Sequence, residues 1–516
     1  LTAKRLFACL RDKRQLFKAR NRLAETYELI LRQRHPELKK KDENWKLIYN
    51  SYLGGTNFSE AGYLIKYPKE SPASFETRKK RAVYFNQVSP IVDMMSGLLY
   101  LNEPIRKIPQ KYHYLVDNMS GDKKISEFMR NVSAHSFMFT CGVLVDMPDF
   151  NPEVIKTKKD ANDNKINPYA TLYLPFRIRD FNINSDDGGL DWVILDNSFY
   201  DHSDPMSLGV TVTRYTLWDR MGYENFEQRE GSESIVSGGR KEHGIGYVPF
   251  RFVSWRDDNS DFISESVCED IAMVSKLIYN NMSYMDEMLA AGTFKMLAYP
   301  TKTGEVPKSM TMGGVGPLSI IPYDITASTA PSFIGHSLQD VEPFIKAITF
   351  YMAEVLKKVG LSTDETKEFV KSGAAKKIDF QKMKALLISG ALMMGKLEEW
   401  IFRTAGAWNQ DFSVDIKVDY TSSFSDEDLV TEVTLLTELL VLPIKTLNKE
   451  VTKLLVKKTM GNYLEPQVIE EINKEIDSSN SVGTIEQESK SSIDVNAAAD
   501  VIKKNTDLTG QGATDA

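Results

Sequence analysis

An α+β architecture is predicted for this chain, and three features carry that prediction. Long amphipathic helices, above all Ser264–Ala290 and Lys376–Thr404, flank a block at 166–255 in which apolar and β-branched residues alternate. Gly, Asp and Ser punctuate that block, as at Asp186-Asp187-Gly188-Gly189, so hairpins between antiparallel strands are the economical connection. The 516 residues amount to about three to five structural units, and 42% hydrophobic residues can fill their interiors.

Residues 1–34 read as one or two basic helices, with Leu6, Leu10, Phe17, Leu23 and Tyr27 at roughly helical spacing. Residues 1–41 hold 13 Lys/Arg and 4 Asp/Glu, a local charge of +9. The whole chain carries −7, which leaves −16 for 42–516. The basic start lacks Ser and is interrupted by Asp12, Glu25 and Glu28, unlike a transit peptide. Residues 43–145 are expected to be mainly helical, with Ala82–Leu99 the clearest period and Pro104 closing it. Strands are expected at Tyr169–Asn184, Asp191–Leu195, Val210–Trp218 and Tyr247–Trp255.

The helix Ser264–Ala290 places Val267, Ile271, Val274, Ile278, Met282, Met285 and Leu289 on one stripe. Between 292 and 336 no helical period survives, and short strands are expected at Phe294–Tyr299 and Leu318–Pro322. A second helix follows at Leu338–Val359, then a polar stretch at Ser362–Ala375 and the helix Lys376–Thr404. Val414–Tyr420 returns to strand. Ser425 then reads as an N-cap for further helices, with Pro443 separating Leu429–Leu442 from Lys445–Lys458. The polar residues 477–516 are expected to form a mobile tail.

Several function classes are excluded or weakened. No uncharged run exceeds the 15 residues of Asn131–Val145 and Ser309–Tyr323, against about 20 for a membrane span. Three scattered cysteines, Cys9, Cys141 and Cys268, make no disulfide framework and suit a reducing compartment. The acidic balance does not suit a protein that grips nucleic acid tightly. Gly390-Ala-Leu-Met-Met-Gly395-Lys396 copies phosphate-loop spacing, but Leu397 stands where a magnesium ligand is needed and the helical stripe runs through it. Gly335-His336-Ser337-Leu338-Gln339 is like a nucleophile elbow with Gln339 in place of its last glycine, and Ser337 also suits a helix cap. Asp160-Ala-Asn162-Asp-Asn164 begins like a calcium loop, but Lys165 and Thr171 occupy its turn and bidentate positions. The six histidines show no metal-ligand spacing. The chain is therefore read as a non-enzyme with no cofactor and no metal.

What remains is an order of elements: a β-rich body, a helix, a small strand module, a returning helix, a polar loop and a third long helix. That order resembles the portal proteins of tailed bacteriophages. The likeness can be followed through Trp45-Lys-Leu-Ile, Ala61-Gly-Tyr-Leu with Tyr67-Pro68, and Phe75. It continues in Arg81-Ala-Val-Tyr84-Phe85-Asn86, Val92, Gly97-Leu98-Leu99 and Asn102-Glu-Pro104. Val248-Pro249-Phe250 and the polar Asn280-Asn281-Met282-Ser283 resemble the approach to the first stem helix, and Ser372-Gly373-Ala374 the turn after a tunnel loop.

The resemblance implies a portal fold: a basic arm at 1–42, a wing at 43–262 (helical, then antiparallel β), a first stem helix at 263–291 and a clip at 292–336. A second stem helix at 337–360, a tunnel loop at 361–375, a wing helix and returning strand at 376–424, a helical crown at 425–476 and a flexible tail at 477–516 complete it. It further implies a homo-oligomeric ring, usually of twelve copies, at one capsid vertex of the virion, assembled in the host cytoplasm. Double-stranded DNA would pass through it in packaging and ejection without sequence specificity. The large terminase, the major capsid or scaffolding protein and a head–tail adaptor would be its partners.

A channel wall must not hold the duplex, because each neutralised phosphate strengthens binding. The first stem helix, with Lys276 against Glu265, Glu269, Asp270, Asp286 and Glu287, fits that need. Transient DNA contact is assigned to Lys367, Lys371, Lys376 and Lys377 around the polar loop. The basic arm would dock on an acidic partner. The rival readings are another phage head or connector protein without a channel, and a serine hydrolase using Ser337.

Overall fold

The computed structural model describes residues 34–68, 70–120, 123–148, 166–206, 208–232, 234–256, 262–293, 297–302, 320–324, 326, 341–360, 373–413, 415–420, 445–460 and 466–478. Helix and strand are mixed, as an α+β chain requires. Two compact units divide at Ser422/Ser423. The basic arm up to residue 33, the calcium-like run at Asp160–Asn164, Ser337, the helix expected at Leu429–Leu442 and the tail from 479 lie outside the described residues.

In the first unit, proline opens α1 (Pro36–Leu53) and α2 (Pro72–Arg81), where its missing N–H forfeits no helical bond. His35 Nδ1 accepts from the Glu37 N–H and Ser71 Oγ from the Ser74 N–H, so each first turn is capped. Helix α3 (Val88–Leu99) begins six residues later than its apolar period predicts, because Asn86 Oδ1 takes the N–H groups of both Val88 and Ser89. Helix α4 (Ile125–Met138) packs on α3, where Ser96 Oγ donates to the Arg130 carbonyl at 3.2 Å. Trp45, Ile48, Val92, Met95, Leu99, Met129 and Phe137 form the core these helices share.

The strands, in chain order, are β1 (Ile105–Lys107), β2 (Cys141–Asp146), β3 (Tyr169–Tyr173), β4 (Ile178–Ile183), β5 (Leu190–Asp196), β6 (Phe199–Asp201), β7 (Val210–Asp219), β8 (Gly222–Arg229), β9 (Ile235–Glu242), β10 (Phe250–Val253), β11 (Leu297–Thr301), β12 (Ile320–Asp324) and β13 (Lys417–Asp419). The expected strand Tyr169–Asn184 is two, β3 and β4, split by a 3₁₀ turn at Pro175–Arg177. A three-stranded antiparallel sheet runs β10-β2-β3, and a six-stranded one runs β4-β5-β7-β8-β9 with β6 also on β7. Ile194, Tyr215 and Phe226 pack together on one face of the larger sheet. β1 and β13 pair antiparallel, although more than 300 residues separate them in sequence.

At the far end of β7, His243 is buried against Trp218 and Trp408. Its Nδ1 accepts from the Ile245 N–H at 3.2 Å, which leaves the proton on Nε2 to donate to the Asp219 carbonyl at 2.9 Å. Burial lowers its pKa below the ordinary value of 6.5. The unfolded chain therefore takes up a proton where the folded chain does not. Stability is complete above about pH 6.5 and is lost as pH falls toward the lowered folded value. Thermal unfolding followed from pH 7.5 to 5.5 should fall, and His243→Gln should flatten part of that fall.

The long helices follow. Helix α5 spans Glu269–Thr293, α6 Val341–Lys358 and α7 Gly373–Trp408. Helix α5 starts five residues after its period suggests. The Ser264 N–H is held by Thr140 Oγ1, and Ser266 donates to the Met138 carbonyl while accepting from the Cys268 N–H, so the lead-in is tied to α4 in a non-helical path. Gly373 and Ala374, expected in a turn, are instead the first residues of α7.

The second unit contributes α8 (Lys445–Met460) and α9 (Pro466–Ser478), which pack side by side. Lys453 pairs with Asp477, and Lys449 Nζ donates to the Asp477 carbonyl at 2.8 Å.

Candidate functional site

Helices α5 and α6 bracket the β11/β12 pair, whose strands run parallel in the register Leu297↔Ile320 to Thr301↔Asp324. The two helices lie antiparallel. Lys358, at the end of α6, pairs with Asp270 at the start of α5, and Val355 joins Ile271 and Val274 around a cavity of about 390 Å³. Burial lowers the Lys358 pKa. At 1.5 Å per residue, the 25 residues of α5 reach about 37 Å.

Both helices carry more apolar surface than one core can take. Ile271, Ser275, Ile278, Tyr279 and Ser283 of α5 face inward, as do Val341, Ile348 and Val355 of α6 at seven-residue steps. Along the expected α5 stripe, Val274, Met282 and Met285 are only half-buried and Leu289 is exposed. On other faces Met273 (46% exposed) and Leu277 (42%) stand one turn apart on α5, and Ile345 (52%) and Phe350 (60%) project from α6. A surface helix normally hides its apolar residues, so these outward groups mark surface available for a partner.

The middle of α5 is fixed by a buried charge. Arg78 on α2 is 1% exposed and makes a two-pronged contact with Glu70, Nε to Oε1 at 2.9 Å and Nη2 to Oε2 at 2.8 Å. Its remaining donors reach the Ile65 carbonyl at 2.7 Å and Ser283 Oγ on α5 at 3.2 Å, and the Tyr67 ring lies over the guanidinium at 4.1 Å. Those hydrogen bonds from Arg78 hold the Glu70 carboxyl below the usual carboxylate range. One turn away on α5, Asn280 accepts from the Ile65 N–H and donates to the Tyr63 carbonyl. The polar pair Asn280 and Ser283, singled out in the sequence, thus stitches segment 63–78 to α5.

The run Arg81-Ala-Val-Tyr84-Phe85-Asn86 divides its work in the same way. Arg81 pairs with Asp286 and Glu287 of α5. Tyr84 stacks on Phe58 at 3.6 Å, donates to the Ser51 carbonyl, and has its phenol pushed up to about 12 by burial. Asn86 caps α3. Val83 and Phe85 point outward.

Helix α7 is held along one side. A Cβ on Gly390 would lie 2.8 Å from the Trp255 ring, and one on Gly395 would lie 3.2 Å from the Val418 carbonyl, so both glycines serve close packing rather than a phosphate loop. Ser389 Oγ donates to the Trp255 carbonyl at 3.0 Å, and Trp255 Nε1 to the Ser133 carbonyl at 3.0 Å. Further along, Glu398 is fully buried and receives Arg106 and the Tyr420 hydroxyl, which sits 3.2 Å from that of Tyr100. Burial, beside the Glu398 carboxylate, pushes both phenols far above their ordinary value. This network joins β1, β13 and α7.

Helix α7 ends in a reverse turn in which the Asp411 N–H reaches the Gly406 carbonyl at 2.9 Å and the Gln410 N–H the Ala407 carbonyl at 2.9 Å. Gln410 occupies the position that favours glycine, at φ 58°. Gln410→Gly is expected to raise stability by up to about 1 kcal/mol, read as a higher unfolding temperature.

Of the four lysines assigned to DNA contact, Lys367 and Lys371 lie outside the described residues, and Lys376 and Lys377 fall in the first turns of α7. A cationic group the sequence did not single out is Lys357, Lys358 and Lys382, which line the cavity at the α5–α6–α7 junction with Asp270 and Glu354. Among the described residues no group of three or more His, Cys, Asp or Glu could hold a metal ion, and no helix is long and apolar enough to cross a membrane.

No protein-family model matches the chain, and no curated protein matches it. Among solved structures, the chain is similar to one described as the neck of an empty GTA particle computed with C6 symmetry. The identity is 10%, the match covers 72% of this chain and 90% of that chain, and the TM-score is 0.34.

Proposed function

We propose that the chain is the subunit of a ring-shaped portal, a channel at one capsid vertex through which double-stranded DNA is packaged and ejected. The observation that carries this reading is the antiparallel pair α5/α6, which brackets a small strand module and keeps a second apolar face uncovered on each helix. Copies of the same pair, set side by side by rotation, would cover those faces and close a ring. The strand module at the end of the pair would then be the clip that meets the packaging motor. The capsid or scaffolding protein and the head–tail adaptor would dock elsewhere on the ring.

The charge pattern supports the same reading. Along α5, Asp270 pairs with Lys358, and Asp286 and Glu287 with Arg81, so a wall built from this helix would carry little net charge with which to hold the duplex. Brief phosphate contact would fall to Lys376 and Lys377, which follow 361–372, and to Lys382 further along α7, because Lys357 and Lys358 are held by Glu354 and Asp270. The buried Arg78 and Trp255 contacts would keep the helices aligned while DNA moves past them.

Mass photometry of the purified chain tests the assembly. A species many times the 58.5 kDa subunit is expected. Met273→Glu combined with Leu277→Glu should reduce it to monomer without lowering the subunit's helix content. An oligomer unmoved by that pair of changes would show that the uncovered face of α5 is not what joins the copies.

A further inference from the structure

The three-stranded sheet ends on β10, which pairs with β2 on one side only. The Val145 N–H donates to the Pro249 carbonyl at 2.9 Å, and the register then runs from Phe250↔Leu144 to Val253↔Cys141. Hydrogen-bonded residues alternate along an antiparallel pair. Pro249, Arg251 and Val253 therefore turn their backbone groups toward β2, and Phe250 and Phe252 turn theirs away. Trp255 keeps the same phase, its N–H donating to the Ser136 carbonyl at 3.2 Å. Among the described residues, the outward N–H and C=O groups of Phe250 and Phe252 meet no partner. Phe250 is only 3% exposed, so water reaches its backbone little, and buried backbone groups left unpaired are costly.

A groove of about 530 Å³ lies along this edge. It is lined by Gly246–Val248 and Phe250–Ser254, and by Asp187–Leu190 of the β4–β5 hairpin with Arg220. A space of that volume takes one short segment rather than the edge of another sheet. Arg220 is held by Asp187 and Asp191. Arg256 also lines the groove, is exposed and makes no ion pair among the described residues.

We infer that β10 takes up an extended segment of another protein as an added strand, with a carboxylate of that segment set on Arg256. Backbone groups that recur at every second residue are matched by a second backbone at the sheet spacing of about 4.8 Å. The four residues of β10 span about 13 Å, room for a segment of about four or five residues. Every described strand already belongs to a sheet, so no described strand of this chain or of a second copy is free to enter. The inference does not depend on the ring reading.

Hydrogen exchange at single-residue resolution on the full-length chain tests it. In the chain alone the Phe250 and Phe252 amides should exchange fast and those of Arg251 and Val253 slowly. The peptide Ac-Glu-Val-Thr-Val-Thr-Glu-NH2 should slow the Phe250 and Phe252 amides by at least about tenfold. The same peptide N-methylated at alternate residues should not, because it keeps the side chains and loses the strand's donors. Arg256→Glu, a change at an exposed side chain, should weaken binding of the unmethylated peptide about threefold. Slow exchange of Phe250 and Phe252 in the monomeric chain alone would show that another segment of the same chain covers the edge and would overturn the inference. So would slowing that appears only on self-association, no slowing by the peptide, or equal slowing by its N-methylated form.

Discussion

Replacing Arg78 by alanine is expected to cost the first unit about 3–5 kcal/mol, because one partner of a buried ion pair is removed and the other is left without its counter-charge. Glu70 would lose two hydrogen bonds, and the Ile65 carbonyl and Ser283 Oγ one each. Arg78→Lys should recover only part of this, since an ammonium cannot make the two-pronged contact or stack under Tyr67. Denaturant unfolding of the three proteins, ordered wild type, Arg78→Lys and Arg78→Ala, reads the effect. The loss should be greatest for reporters on α5, whose middle the guanidinium fixes through Ser283.

A loss of similar size, about 3–5 kcal/mol, is expected for Trp255→Ala. The ring is 1% exposed, lies against Gly390, meets Phe137 edge-on at 4.9 Å and donates to the Ser133 carbonyl. Removing it opens a void between α4 and α7 and leaves a buried carbonyl with one donor fewer. Thermal unfolding measures the cost. The reciprocal change, Gly390→Ala, places a methyl group against the indole face and should cost about 1–3 kcal/mol in the wild-type background. Much of that penalty should disappear in Trp255→Ala, where the added methyl meets space, and such coupling identifies the pair as one contact.

Much of the helical framework was legible because a 3.6-residue period survives in α5, α6 and α7 whatever they pack against. The starts were less so. Helices α3 and α5 begin late because Asn86, Ser264 and Ser266 use side chains and backbone in non-helical bonds, which hydrophobic spacing does not register. β2 was absorbed into a helical region since Cys141–Val145 is buried on both faces and so does not alternate. β8 and β9 (GYENFEQR and IVSGGRKE) are too polar or too rich in glycine to stand out. Nothing local could pair β1 with β13, or β11 with β12 in parallel.

The candidate site was legible in outline and not in its buried charges. Asn280 and Ser283 were visible as polar residues on an apolar helix, and both prove to be anchors. Arg78 sits in Arg78-Lys79-Lys80-Arg81, where composition does not distinguish the inward residue from its solvated neighbours. Glu398 follows Leu397 in a helix that reads as amphipathic, and only the arrival of Arg106 and Tyr420 from distant segments explains a carboxylate there. The junction lysines Lys357, Lys358 and Lys382 likewise come together only through packing.

Electron microscopy of the purified full-length chain tests the portal reading most directly. A ring with a central opening wide enough for a DNA duplex, with the α5/α6 pair repeated around the axis, is the expected result. A monomer, or an oligomer without a central channel, would contradict it.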